Sequence, residues 1–205
     1  MIGVGKEYWE NEWNKRIVRD DCGKGKNVSR NIKKFAKLFY ELSKKEHLFG
    51  IEKLDVGCGP SMLAVFMGMF AGVKFTETYT GIDLSKKAVD WCTDVGVNAV
   101  QGDILDYPFK KKFGCFMFWD VLEHIADHWQ LAERVKELAE NEFYLIGNIP
   151  LYTSEHPNRE GGYERPMNID ELLRFIKFCG GIGFEQEIYG AFGRPYMFFE
   201  AKINK

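Results

Sequence analysis

Residues suited to chemistry fall in four clusters, in order along the chain. Asp55-Val56-Gly57-Cys58-Gly59-Pro60 sets two glycines one residue apart after a short apolar run. Glycine reaches positive φ and lets a ligand approach the backbone closely. The helix that follows such a turn offers unpaired N–H groups. Gly81-Ile82-Asp83-Leu84-Ser85 ends a second apolar run in a carboxylate, placed to accept hydrogen bonds from both hydroxyls of a ribose. Gln101-Gly102-Asp103-Ile104-Leu105 adds another carboxylate, and Trp119-Asp120-Val121-Leu122-Glu123-His124 a mixed acid–imidazole cluster. Singly, Asp83 and Asp103 read as helix caps or turn residues. Jointly, and in this order, the clusters describe a site for a nucleoside-bearing cofactor.

The elements that must position these residues alternate. Lys53-Leu54-Asp55-Val56 reads as a strand, and a helix follows from about Ser61. Tyr79 to Leu84 is a second strand, with Ser85 as cap of the next helix. Asp83 lies farther from the glycines than the ~20 residues usual in dinucleotide folds, and the surplus falls in Gly72 to Thr80. Asn98 to Gln101 is a third, short strand. Cys115-Phe116-Met117-Phe118-Trp119 is continuously apolar, as a strand buried on both faces should be. A long amphipathic helix is predicted next, with Val121, Ile125, Ala132, Val135 and Leu138 inward, and then a strand from Glu142 to Gly147. This order implies a mostly parallel sheet with helices on both faces, binding its ligand at the carboxyl ends of the strands.

After Gly147 the pattern changes. Residues 148–167 hold Pro150, Pro157, Pro166 and Gly161-Gly162 and read as a long loop. Asn168 with Glu171 forms a capping-box pattern. Residues 184–189 and 196–201 are strand-like, and Gly190 to Pro195 is too short for a parallel crossover, so they pair antiparallel. The expected fold is α/β: a doubly wound, mostly parallel seven-stranded Rossmann-like sheet with a C-terminal antiparallel strand pair. Residues 1–205 form one domain: an N-terminal helical lid segment (1–50), a cofactor-binding core (51–147), a substrate loop (148–167), and a C-terminal helix and hairpin (168–205).

The ordered set Leu54-Asp55-Val56-Gly57-Cys58-Gly59-Pro60, Gly81-Ile82-Asp83, Gly102-Asp103 and Asp120-Val121-Leu122-Glu123-His124-Ile125 resembles the class I S-adenosylmethionine-dependent methyltransferases, specifically the group with Leu-Glu-His after the fourth strand. The likeness covers roughly residues 50–150. It implies S-adenosylmethionine as cofactor and a role at each position. Asp55 and the backbone of Gly57, Cys58 and Gly59 would face the methionine part. Asp83 would hold the ribose, Asp103 the adenine amino group, and Leu84 and Ile104 would sandwich the ring. The Trp119 backbone would lie near the cofactor's amino group. Gly114 departs from the pattern, which usually has an acid there.

Methyl transfer asks little of side chains, because the sulfonium is already electrophilic; positioning and exclusion of water dominate. A general base is needed only when the acceptor has a proton to lose. His124 is the catalytic candidate; the alternative is a helix N-terminal residue bonded to backbone. His47 and His128 are expected on polar helix faces. The long loop offers His156, Arg159, Tyr163 and Arg165, and its length favours function over a merely solvated surface. Trp9 and Trp13 share a helix face with Tyr8 nearby, as a second lid or a core anchor. The substrate-side set is Tyr8, Trp13, His156, Tyr163 and Arg165. Asn148-Ile149-Pro150-Leu151-Tyr152 is set aside as an Asn-Pro-Pro-Tyr motif, because it follows the fifth strand and lacks the second proline. Asp120, Glu123, His124 and His156 resemble the metal set of small-RNA 2′-O-methyltransferases, but Asp replaces the first Glu, and no metal is expected.

Composition narrows the partners. With 205 residues, 45% hydrophobic and 28% charged, the chain has the makings of one globular domain. A net charge of −2 gives no global field for a polyanion. Lys33, Lys34, Lys37, Lys44 and Lys45 lie mostly off the Ile32, Phe35, Ala36, Phe39, Leu42 stripe and read as a solvated helix face. No apolar run approaches the ~20 residues of a membrane span, and acid comes early in the N-terminus, so the expected location is cytoplasmic with no membrane partner. Cys22, Cys58, Cys92, Cys115 and Cys179 are odd in number and never C-x-x-C, which argues against a disulfide framework or a thiolate zinc site. The expected function is methyl transfer to a small-molecule O or N acceptor by a monomer or homodimer. Its rivals are an RNA or protein methyltransferase and a non-catalytic cofactor-binding subunit.

Overall fold

The computed structural model describes residues 7, 8, 10, 11, 13, 26–151, 167–191 and 194–205. Its centre is one seven-stranded sheet in the order β3-β2-β1-β4-β5-β7-β6. The strands are β1 Lys53–Val56, β2 Tyr79–Asp83, β3 Ala99–Gln101, β4 Phe113–Trp119, β5 Ala139–Pro150, β6 Glu185–Ala191 and β7 Arg194–Asn204. β1 and β2 are buried at every position, as strands covered on both faces must be. The first five strands pair parallel, and β7 runs antiparallel to both β5 and β6. The expected C-terminal hairpin is therefore present, with Ile188 opposite Met197. β1 has β2 on one side and β4 on the other, so the winding reverses there and opens a crevice at the carboxyl ends.

Helices cover both faces. On one lie α1 (Lys26–Lys45) and α2 (Met62–Ala71), packing Phe35, Phe39 and Met67 on Tyr79, Met117 and Ile146. On the other lie α5 (His128–Leu138) and α6 (Ile169–Phe178), packing Leu131, Val135 and Phe175 on Leu54, Phe116 and Phe118. The predicted α1 stripe holds: Phe35, Ala36, Phe39 and Leu42 are buried, while Lys34, Lys37, Lys44 and Lys45 are exposed. Caps act where the sequence puts them. Ser85 accepts from the Ala88 N–H at the start of α4 (Lys86–Asp94), and Asn168 with Glu171 makes a full capping box on α6.

Two expectations need correction, and a third, the surplus in Gly72 to Thr80, holds. The helix after β4 starts at His128, not at Val121. Asp120 takes a left-handed φ of 56°, residues Leu122–His124 form a 3₁₀ turn, and Asp127 caps the helix by accepting from the Gln130 N–H at 2.9 Å. Val121 and Ile125 thus pack from a turn, because the cap rather than the apolar period sets the start. The surplus before β2 is a short helix, α3 (Val73–Glu77). β5 runs three residues past Gly147, because β7 pairs with it as far as Pro150 opposite Tyr196. Leu151 then bridges to Met167.

Two glycines are dictated by close packing. A Cβ at Gly114 would lie 2.4 Å from the Ile51 Cγ2, which leaves no room for the acid usual at that position. A Cβ at Gly147 would lie 2.1 Å from the Phe118 carbonyl oxygen, a backbone atom that cannot swing away. Gly147→Ala is therefore expected to destabilise the fold by about 2–3 kcal/mol, the scale of core overpacking. Urea unfolding of the variant beside wild type measures it. Among the described residues no helix is long and apolar enough to cross a membrane.

Candidate functional site

The turn after β1 is built on left-handed backbone: Gly57 at φ 65°, Gly59 at 51° and Ser61 at 45°. Side chains are excluded at both glycines. A Cβ at Gly57 would come within 2.5 Å of Val121 Cγ2, and one at Gly59 within 2.6 Å of Trp13 Cζ2. The Gly57 and Cys58 N–H groups both donate to the Ile82 carbonyl, at 2.9 and 3.1 Å, which ties the turn to β2. At the end of β2, the buried Asp83 accepts from the Gly59 N–H on Oδ2 and the Ser85 N–H on Oδ1, each at 2.8 Å. Burial pushes the Asp83 carboxyl above its usual range, opposed by these two donors. A carboxylate offers about four acceptor positions, so two remain for further donors.

Asp55 lies beneath the turn. Its Oδ2 accepts from the Tyr79 hydroxyl at 2.6 Å, and that hydroxyl meets Ser61 Oγ at 2.8 Å. Its Oδ1 is buried with no hydrogen-bond partner among the described residues. Burial raises the Asp55 carboxyl to about 7, partly offset by the Tyr79 hydrogen bond and augmented by the nearby Asp83. A buried carboxylate oxygen without a partner is rare and calls for an external donor or cation.

The third cluster is only partly open to this edge. Asp103 is half-buried and accepts from the Leu105 N–H at 3.0 Å, the bond of a turn residue. The Gly102 N–H donates to the Asp83 carbonyl at 3.0 Å, bringing the second and third clusters together. Leu84 is half-buried, but Ile104 is only 7% exposed and packs into the core. Trp119 stacks on Phe35 at 6.1 Å and meets Phe198 at 6.0 Å.

Beyond β4 the polar residues converge. The Asp120 N–H donates to Asn148 Oδ1 at 2.9 Å, and the Tyr196 hydroxyl donates to Asp120 Oδ2 at 3.3 Å. A non-glycine residue at positive φ, over-determined in this way, is the kind of strain found at functional sites. His124 ends the 3₁₀ turn, half-buried, rather than opening a helix. His128 is not on a polar face: it is buried, and its Nε2 pairs with the Leu122 carbonyl at 2.9 Å. His47 is exposed in a turn. Among the described residues no group of three His, Cys, Asp or Glu is placed to hold a metal. Trp9, His156, Arg159, Tyr163 and Arg165 lie outside the described residues.

The N-terminal segment crosses this edge. Glu10 accepts from the Ser85 hydroxyl and from the Lys87 N–H at the start of α4, where the helix dipole favours negative charge. Trp13 lies over Gly59, and Tyr8 is half-buried. Sequence reasoning missed Glu10, Ser61, Tyr79 and Tyr196, whose partners are distant in the chain. Asn148 stood in a string that was set aside for its position.

Residues 54–146 match the family model described as a methyltransferase domain. No curated protein matches the chain. Among solved structures, the chain is similar to magnesium protoporphyrin IX methyltransferase from Synechocystis with bound S-adenosylmethionine, at 15% identity and a TM-score of 0.73, over 97% of this chain and 95% of that one. It is also similar to an S-adenosylmethionine-dependent methyltransferase from Clostridium acetobutylicum, at 13% identity and a TM-score of 0.63, over 93% and 96%. A glycopeptide N-methyltransferase aligns at 16% identity and a TM-score of 0.62, over 83% and 89%. The glycine turn, the acid ending β2 and the strands that present them thus lie in the stretch, residues 54–146, that matches a methyltransferase domain, and the chain as a whole shares the fold of S-adenosylmethionine-dependent methyltransferases.

Proposed function

We propose that residues 1–205 work as one domain that methylates an O or N atom of a small molecule, in the cytoplasm and as a monomer or homodimer. The residues at the crevice fit S-adenosylmethionine. The orphaned Asp55 Oδ1 suits its ammonium group, the Gly57–Gly59 turn with Cys58 its methionine chain, and Asp83 its ribose. Asp103, Leu84 and Ile104 at the adenine and the Trp119 backbone complete the cradle. The bound cofactor supplies an electrophilic methyl group. The chain's part is to orient it, exclude water and accept a proton where the acceptor carries one.

The observation that carries the acceptor reading is the closure of Val121 onto Gly57. In this reading Asp120 and His124, near Val121 in one tight turn, lie beside the methionine end of the site. Such a spot suits a small acceptor, with His124 as general base and no metal. Tyr8 and Trp13 would cover it from the N-terminal segment, and His156, Tyr163 and Arg165 from the long loop. The similar structures named for a porphyrin and a glycopeptide substrate favour the same class. Transfer of a labelled methyl group to a panel of phenols, amines and carboxylic acids tests the reading. Labelling of RNA or protein alone would overturn it.

Asp55 makes cofactor binding pH-dependent. In the free protein its carboxyl titrates at about 7, raised by burial, so below that pH it holds a proton. An ammonium partner favours the carboxylate, so binding expels the proton there. Affinity is expected to rise with pH by up to about tenfold per unit below 7 and to level off above it. The stability contribution of this raised carboxyl runs oppositely: fully present below about 4, it is lost as pH rises through 7. Calorimetry in two buffers of different ionisation enthalpy reads both the affinity and the proton release. A flat profile in wild type would separate Asp55 from the ammonium.

A further inference from the structure

We propose that Cys58 and Cys92 form an oxidisable dithiol beneath the glycine turn, and that closing it to a disulfide switches off cofactor binding. The inference rests on the reading of that turn as the cofactor site. Cys58 stands between Gly57 and Gly59, and Cys92 comes from α4, 34 positions later. Both sulfurs converge on one atom: the Gly59 carbonyl oxygen lies 3.4 Å from Cys58 Sγ and 3.3 Å from Cys92 Sγ. Cys58 also fills the space above Gly81 of β2, where a Cβ would meet its sulfur at 2.6 Å. The other described cysteines, Cys115 and Cys179, are buried and pushed up to about 12 by that burial.

The pair divides the labour of the reaction. Cys58 is half-buried, whereas Cys92 is fully buried. A hydrogen bond between the two thiols holds the Cys92 thiol below its ordinary range and raises that of Cys58, with burial raising Cys58 further. Cys92 is thus the more acidic thiol of the pair, and its thiolate is the form that attacks sulfur. With a hydroperoxide as oxidant, Cys58 loses its proton and its thiolate attacks the peroxide: the O–O bond breaks, one oxygen stays on sulfur as the sulfenic acid, and the other leaves as water with that proton. Cys92 then attacks that sulfur. The S–O bond breaks, the S–S bond forms, and the oxygen leaves as a second water. Two thiols are oxidised and one peroxide is reduced.

The consequence follows from bond lengths. Two sulfurs that each sit beside the Gly59 carbonyl must close to about 2.05 Å from one another. That displaces the carbonyl lying against both sulfurs and, with it, the next-door Gly59 N–H that holds Asp83. The turn is already committed to left-handed backbone at three positions and has little slack to absorb the shift.

The test treats the reduced protein with hydrogen peroxide and follows it by peptide mass spectrometry and by calorimetry with S-adenosylhomocysteine. A linked Cys58–Cys92 peptide is expected, with affinity lowered by at least about tenfold and restored by dithiothreitol. Cys92→Ser and Cys92→Ala, reduced, should bind like wild type and keep that affinity after peroxide. No linked peptide, unchanged affinity in the linked protein, or equal loss in both Cys92 variants overturns the proposal. Reduced wild type that fails to bind S-adenosylhomocysteine would instead overturn the cofactor site, since the linked peptide is read without ligand.

Discussion

His124→Ala is expected to lower kcat by roughly 10²–10⁴-fold, the range for loss of an acid–base group, while leaving S-adenosylhomocysteine affinity within a factor of about two. The separation follows from placement. His124 ends the turn that follows Val121 at Gly57, and in the proposed site its imidazole would serve the acceptor side and not the adenosine side. His128, four residues on, makes the contrasting control. It is buried against Phe175 with ring centroids 5.8 Å apart and pairs with the Leu122 carbonyl. His128→Ala should therefore lower the melting temperature and spare kcat per folded molecule. Chelators should leave wild-type activity intact. Full loss with chelator, reversed by Mg²⁺, would replace the base with a metal site and recruit Asp120 and Glu123 as its ligands. An acceptor without an ionisable proton would remove the His124 effect, so the panel must include phenols.

Asp83→Ala should weaken S-adenosylhomocysteine binding by about 1.5–3 kcal/mol, the worth of hydrogen bonds to a charged group, or roughly 10- to 150-fold in Kd. Two effects add. The ribose loses its acceptor, and the Gly59 and Ser85 N–H groups lose theirs. Asp83→Asn separates them, since the amide retains one oxygen for a backbone donor but not the charge. The alanine variant should therefore lose both affinity and thermal stability, and the asparagine variant chiefly affinity. Unchanged affinity in a folded Asp83→Ala protein would remove Asp83 from the site.

Much of the fold and part of the site were legible in the sequence. Alternation of apolar runs and helical stripes, a buried β4 and a short link before β7 were enough for a parallel sheet ending in an antiparallel pair. These are local signals, because burial on both faces, the period of a helix and the reach of a six-residue link are each fixed within a short window. The glycines at 57 and 59 and the acid at 83 were equally plain, because backbone conformation and strand ends are local too. The start of α5 was not, since Asp120 leaves the helical region through bonds to Asn148 and Tyr196 from other strands. Nor was the orphaned Asp55 oxygen, which depends on Tyr79 satisfying its twin. Glu10 on α4, Trp13 over Gly59 and the meeting of Cys58 with Cys92 on one carbonyl join residues 33 to 77 positions apart. Sequence by itself determined which residues could bind a cofactor, because that rests on residue type and local conformation. The tertiary structure alone decided which of them share a charge, a proton or a backbone oxygen, because those depend on distances that only the packed sheet and its helices set.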